Sequence, residues 1–461
     1  MDNDLIELCT GRCYTLFVTS VSNIYRLEGR VPVAKAIPFG FQHVLAMFVA
    51  NVTPLIIIAG VAVYNGQALT QIETAQLIQN CMLVAGIGTL IQLYPIWKIG
   101  SGLPIVMGLS FTFLAACLAS ASQDYGYMIG GIIVGGCIEG VLGLTAKYWR
   151  KLIQPIVAGC VVTSIGLSIL NVGVSSYANS AKYETGAWQN LLVATVTLIA
   201  CLSFHVFAKG VLKQLNVLFG LIVGYIVAIC FGMVDFSAMG TTISQLGVFS
   251  FPSLFAYAPK FNIGIIISFV IVFLVSAVET IGDTTAACTG ALGRDITDEE
   301  VSGSLAVDGF MSAIAGGVFG VSPITSFSQN VGLLKMTKVV NRFTIMFGAL
   351  LLIFGGLFPP IGAFLSTLPD CVLGGCTVIM FGSIVVAGFE MIAKVGFNHR
   401  NMIIVATSLC VGVGVTQVEG FFSGLPSIFG DIFGSNMVAG VFVIALVLSW
   451  VLPKDMEIES E

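Results

Sequence analysis

Apolar runs about 20 residues long follow one another from Lys35 to Pro453 and predict fourteen membrane-spanning segments. They lie near residues 36–60, 75–96, 103–118, 126–145, 152–172, 189–208 and 214–234, then near 264–292, 303–320, 323–337, 343–365, 370–393, 401–417 and 436–452. Two of them are short and irregular. The third opens on Pro104 and runs through Met107-Gly108-Leu109-Ser110-Phe111; the tenth opens on Pro323 and runs through Thr325-Ser326-Phe327-Ser328-Gln329-Asn330. Polar, irregular backbone cannot face lipid, where each unpaired peptide group costs several kcal/mol, but it can line a cavity. Both segments join extended-looking residues to a following half-helix, whose first N–H groups are free to bind a ligand. If both begin extended and meet at the midplane, they can pair as two short strands.

Seven spans and seven spans suggest an internal repeat, and because seven is odd the second copy enters the membrane upside down. Pro155, Gly159-Cys160 and Gly166 in the fifth span are echoed by Pro369, Gly375-Cys376 and Gly382 in the twelfth. The basic residues fix an orientation. With the N-terminus inside, seventeen of the 19 Lys and Arg fall on the cytoplasmic side and only Lys182 and Lys260 fall outside. An odd number of spans would have scrambled that asymmetry.

Composition excludes a soluble fold: 57% of the 461 residues are hydrophobic and 9% are charged, against about 25% charged in soluble domains. Residues 1–30 lack a continuous apolar core, so no cleavable signal is expected and the first span serves as its own insertion signal. The net charge of −5 says little about partners, and nucleic acid is not expected among them. Most of the twelve cysteines sit in apolar spans, where a thiol behaves as a small hydrophobe. Cys9 and Cys13 lack the further His or Cys that a metal site needs, and are read as free thiols.

Ionisable groups inside the bilayer cost about 2.5–3.5 kcal/mol each on insertion scales and invite a functional reading. Glu279 lies mid-way along the eighth span, and Asp283 follows one turn later on the same face. Asp308 lies in the ninth span, and Gln42-His43 in the first. Glu139 and Glu390, nearer cytoplasmic ends, are expected to snorkel to the interface, and Glu73 to start the second span from outside. A carboxyl group held away from water can exchange a proton near physiological pH, which permits proton coupling. It also accepts ring N–H donors of a heterocycle, while Gln329 offers a donor and an acceptor together, and Phe111 and Phe327 offer flat faces. No nucleophile and base pair or metal-ligand cluster suggests an enzyme. An anion carrier of related seven-plus-seven architecture is the competing reading, against which a central carboxylate argues.

Gln329-Asn330-Val331-Gly332 followed by Thr337-Lys338 resembles the signature of the nucleobase-ascorbate transporter family, also called nucleobase:cation symporter-2, which reads Gln/Glu/Pro-Asn-x-Gly-x4-Thr-Arg/Lys/Gly. Glu279-Thr-Ile-Gly-Asp283, Ser304-Leu-Ala-Val-Asp308-Gly309 and Gln42-His43 also resemble that family's motifs in order and spacing, over residues 36 to 452. The resemblance implies a core domain of spans 1–4 and 8–11 (residues 36–145 and 264–365) and a gate domain of spans 5–7 and 12–14 (146–234 and 370–452). Residues 1–35 and 453–461 are then cytoplasmic segments, in a homodimer at the cell membrane. It implies a base bound between the third and tenth spans by Glu279 and Gln329, with backbone near Ser110, Phe111 and Ser328 completing the pocket and Phe111 stacking on the ring. Asn330 and Gln42 would support the site. His43 would contact the base or, with Asp308, hold the frame, and Asp283 would serve proton coupling or position Glu279. Gln at the first signature position is similar to the xanthine and uric acid carriers, whereas uracil carriers have Glu there. Lys338, where many bacterial xanthine carriers have Gly, leaves xanthine and uric acid both open. Protons are the expected coupling ion, with no cofactor.

Overall fold

A computed structural model describes residues 21–150, 154–426, 429–434 and 436–453. Cys9, Cys13 and the acidic tail after Lys454 lie outside the described residues. The helices are α1 (Val33–Val61), α2 (Gln71–Leu93), α3 (Leu114–Ala121), α4 (Tyr125–Leu144), α5 (Pro155–Ala178), α6 (Trp188–Phe207) and α7 (Asn216–Cys230) in the first half. The second half has α8 (Ile263–Ala287), α9 (Asp298–Gly317), α10 (Ser328–Thr337), α11 (Arg342–Gly356), α12 (Asp370–Val395), α13 (His399–Val415) and α14 (Met437–Val451). Short helices at Ala146–Trp149, Val211–Gln214, Phe236–Leu246 and Pro359–Leu365 lie between them.

Seven helices, α1, α2, α4, α5, α6, α8 and α12, are long and apolar enough to cross a membrane by length and composition. The expected single span at 343–365 is instead α11 followed by Pro359–Leu365, bent by 81°. The cause is local: Pro359 and Pro360 cannot donate the hydrogen bonds that would continue α11, and the residue before a proline is pushed out of the helical region. The other boundaries follow capping chemistry. Thr70 and Glu73 form a capping box that starts α2, and Thr297 and Glu300 form one that starts α9.

The helices pack in an order that repeats when the halves are exchanged. Helix α5 lies along α12, its own counterpart. The contacts of α4 with α9, α8 with α4, α6 with α7 and α5 with α14 recur as those of α11 with α2, α1 with α11, α13 with α14 and α12 with α7. Two groups result. One contains α1–α4 and α8–α11, the other α5–α7 and α12–α14, and they touch where α8 meets α5 and α14 and where α1 meets α7.

Within the first group the two polar segments form β3 (Met107–Leu109) and β4 (Ile324–Ser326), an antiparallel ribbon pairing Met107 with Ser326, Gly108 with Thr325 and Leu109 with Ile324; a separate hairpin pairs β1 (Val63–Tyr64) with β2 (Gln67–Ala68). Every residue of β3 and β4 is buried. An isolated ribbon of three residues would leave its outer edges unpaired, yet here side chains complete them. Leu109 N donates to Asn51 Oδ1 (2.7 Å), Met107 N to Thr89 Oγ1 (3.0 Å), Ile324 N to Ser312 Oγ (3.1 Å) and Ser326 N to Asp308 Oδ2 (3.2 Å). Ser312 Oγ also donates to Ile324 O at 2.8 Å. Gly108 leaves room at the centre: a Cβ there would sit 2.8 Å from both Asn51 Oδ1 and Met47 Cε, and these side-chain ends would have to move.

Candidate functional site

Each strand turns directly into a helix start. Ser110 caps the 3-10 turn Phe111–Phe113 that leads into α3, and Ser328 is the first residue of α10. The two starts converge on a cavity of about 50 Å³ whose polar wall is Ser110, Thr112, Glu279, Ser326, Ser328 and Gln329, and whose other wall is Ile165 of α5 and Ile384 of α12. Free N–H groups and the positive ends of two short helices therefore face a space that also holds a carboxyl group and a carboxamide.

Glu279 reaches the cavity from α8. Its Oε2 accepts from Thr112 Oγ1 at 2.5 Å and its Oε1 from Ser328 Oγ at 3.4 Å. Asp283, one turn on, accepts from Ser328 Oγ at 2.7 Å and Ser326 Oγ at 3.3 Å, and so sits beside Glu279 rather than in the cavity wall. Gln329 lines the cavity half-exposed. Phe111 also lines it, its ring edge-on to Phe381 of α12 with centroids 5.3 Å apart.

A second layer lies behind. Asp308 Oδ2 accepts from Ser326 N and from Thr280 Oγ1, so a single oxygen joins α8, α9 and β4. Asn330 is buried facing α1, where its Oδ1 and His43 Nδ1 are 2.5 Å apart and its Nδ2 donates to His43 O at 3.3 Å. His43 is fully buried and is not among the residues that line the cavity. Gln42, its half-buried neighbour, also lies off the cavity wall. The signature ends at Lys338, which adopts a left-handed conformation (φ 57°) to cap α10 and donates from Nζ to Gly290 O beyond the end of α8. The segment read as a signature is thus one cavity-lining turn followed by its anchors.

Sequence reading missed several members. Thr112, Thr280 and Ser326 bond directly to the acidic side chains, and Asn51, Thr89 and Ser312 hold the ribbon. Hydroxyls are frequent in membrane helices and carry no spacing signal; of these, Ser326 lies in the polar run already singled out, and Thr112 could have been found, since it continues the polar break one residue past Phe111. Glu139 departs from expectation outright. It does not snorkel: it is 2% exposed, on the α4 face against α9. The reason is steric, for Gly136, Gly140 and Gly309 bring the two backbones so close that a Cβ on Gly309 would lie 2.1 Å from Gly140 N. Glu390, by contrast, is exposed.

The chain matches the model of a permease family, Xan_ur_permease, over residues 34–421. It is 33% identical to the xanthine permease XanQ of Escherichia coli (strain K12) over 448 residues, covering 93% of this chain and 94% of that protein. It is likewise 33% identical to the xanthine permease of Bacillus subtilis (strain 168) over 438 residues, covering 93% and 96%. Its fold is shared with the transmembrane domain of the cyanobacterium bicarbonate transporter BicA, at TM-score 0.54 and 13% identity over 89% of this chain and 96% of that one. Murine Solute Carrier 26 family member A9, an anion transporter in the inward-facing state, gives TM-score 0.60 and 11% identity over 96% and 71%. At such identities the likeness concerns architecture alone, whereas the full-length sequence relatives identify the chain: it belongs to the nucleobase-ascorbate transporter family of permeases, multi-pass membrane transporters and not enzymes.

Proposed function

We propose that this protein imports a purine base, xanthine or uric acid or both, by proton symport. The observation that carries the reading is the meeting of Glu279 and Gln329 in one cavity between two helix starts. A carboxylate accepts the ring N–H groups of a base, and an amide pairs with an edge that presents a carbonyl beside an N–H. Free backbone N–H groups near Ser110, Phe111 and Ser328 take the remaining acceptors, and Phe111 provides the stacking face. Xanthine permease relatives at 33% identity support the substrate class.

In this reading the chain crosses the membrane fourteen times as an inverted repeat with both termini cytoplasmic, and works as a homodimer in the cell membrane. Helices α1–α4 and α8–α11 form the moving core; α5–α7 and α12–α14 form the gate. The cavity supports the motion: about 50 Å³ is far below the roughly 300–1,000 Å³ of ligand pockets, so Ile165, Ile384 and Phe381 must withdraw from the ribbon before a base can enter. An elevator-like displacement of the core past the gate would do this. The clustered carboxyl groups supply the proton-binding chemistry.

Radiolabelled xanthine and urate uptake in vesicles, with uracil, hypoxanthine and ascorbate as competitors, tests the reading. Uptake should rise with an inward proton gradient and collapse with an uncoupler; dependence on sodium with indifference to the uncoupler would refute proton symport. Glu279→Gln removes a charge-assisted hydrogen bond of about 1.5–3 kcal/mol and should weaken apparent affinity about 10- to 100-fold with normal membrane insertion. Gln329→Ala should do the same, and an unchanged substrate profile in either variant would remove the site assignment.

A further inference from the structure

Ten buried side-chain polar atoms lack a hydrogen-bond partner among the described residues, and four of them belong to the junction of α4, α8 and α9: both carboxyl oxygens of Glu139, Oδ1 of Asp308 and Oγ of Ser276. Glu139 and Asp308 are 2% and 0% exposed, and Ser276 is buried one turn from Thr280 on α8, the residue that donates to Asp308. Glu139 lies between Gly136 and Gly143, whose added Cβ atoms would touch Gly309 O and Ala306 N, so its side chain leaves α4 at the level of Asp308.

Among the described residues no cation is paired with the carboxyl group of Glu139 or of Asp308. Asp308 is the charged group that acts on Glu139. From α8 come Glu279 and Asp283, engaged on the cavity side with Thr112, Ser328 and Ser326. The other groups packed along α4 are the thiol of Cys117 on α3, the phenol of Tyr64 in the hairpin and, at the Tyr125 end of the helix, Tyr257 and Lys260, whose ammonium is paired with Asp124. A buried carboxylate with neither a counter-ion nor a donor is among the costliest groups a protein can hold. One proton removes a charge and turns an acceptor into the donor that the neighbouring oxygens lack.

We propose that Glu139 and Asp308 form the site of the coupling proton, one layer behind the base cavity, with Glu139 as a proton-holding residue. This rests on the proton-symport reading above. The connection to the cavity is continuous: Asp308 holds the Ser326 amide, the Ser326 hydroxyl reaches Asp283, Asp283 accepts from Ser328, and Ser328 reaches Glu279. A proton arriving between Glu139 and Asp308 changes the charge at the oxygen pair that anchors β4, and so biases the geometry of the ribbon from which the base is bound. Glu139 never touches the base.

Two radiolabelled xanthine assays on the full chain separate the possibilities: accumulation driven by a proton gradient, and exchange of preloaded against external xanthine without a gradient. For Glu139→Gln the expected result is a loss of accumulation within the 5- to 150-fold range of ordinary coupling, roughly tenfold or more, with exchange retained. Glu139→Asp, which restores a carboxyl group on a shorter arm, should accumulate xanthine with a displaced pH profile, and it decides the matter if Glu139→Gln does not reach the membrane. Normal accumulation with an unchanged pH profile in these variants, beside a coupled wild type, overturns the role of Glu139 and leaves symport standing. Loss of exchange together with accumulation at normal membrane levels makes Glu139 structural and also overturns it. A wild type indifferent to the proton gradient removes the symport reading itself, and this site with it.

Discussion

The two walls of the cavity are built on opposite terms. The wall made by the ribbon, α3, α8 and α10 is a lattice in which nearly every polar atom answers to another: Thr112 to Glu279, Ser328 to Asp283, Ser326 to Asp308. The facing wall contributes Ile165 and Ile384, with Phe381 against Phe111 behind them. A hydrogen-bonded lattice is sensitive to the loss of any member, because the partner left behind is buried and unsatisfied. An apolar wall asks only for approximate volume. The polar contacts and the apolar packing of the cavity thus lie on different helices, and parting the apolar wall from the ribbon would break no hydrogen bond between them among the described residues.

Substitutions can break this contrast. Asp308→Ala should have the largest effect, since it strips the Ser326 amide and the Thr280 hydroxyl of their acceptor at about 1–3 kcal/mol for each. Uptake should vanish and the melting temperature in detergent should fall; a variant that melts and transports like wild type would deny the lattice its importance. Gly108→Val comes next, because its Cβ meets Asn51 and Met47 at 2.8 Å, and should reduce the amount of folded protein recovered by size-exclusion chromatography. On the opposite wall, Ile165→Val and Ile384→Val remove one methylene each and should leave the xanthine KM within about threefold. A larger loss there than in the lattice would reverse the comparison.

The smallest effect is expected far from both walls, where Lys260 Nζ and Asp124 Oδ2 are 2.6 Å apart beside the hairpin. Partial burial pushes the Asp124 carboxyl up, but the Lys260 ammonium and the Gly126 and Asn65 amides outweigh it and hold the group below its usual 3.8. A carboxyl group lowered on folding stabilises the protein above that value, and the contribution disappears as pH falls through its folded value. Lys260→Met should therefore lower the melting temperature slightly at pH 7, by less than about 1 kcal/mol of stability, and the difference from wild type should close below pH 3.8. A difference that widens on acidification would contradict the assignment.

What could be read beforehand divides along chemical lines. Helix positions were legible because apolar length is demanded by the bilayer, and most expected and observed ends agree within a few residues, the exceptions being the third span, where the helix is only Leu114–Ala121, the end of Pro155–Ala178, and the bent stretch at 343–365. The break at Pro323 was legible because lipid punishes polar backbone. The role of the hydroxyls was not, since Thr112, Thr280 and Ser326 are ordinary residues, even inside a polar break, until the fold aims them at carboxylates. Glu139 misled for a different reason: distance along the chain from a helix end says nothing about which neighbour covers it, and only the close approach of α4 and α9 closes its route to the interface.

The ribbon also sets a timetable for synthesis. Met107 pairs with Ser326, which leaves the ribosome more than two hundred residues later, roughly 10 to 40 s at ordinary elongation rates. Throughout that interval the Ser110 amide lacks Pro323 O, its acceptor in the finished ribbon, while the outward amides of Met107 and Leu109 already have Thr89 and Asn51. Those two side chains, both encoded before the strand, are in position to shelter a half-built segment until its partner is born.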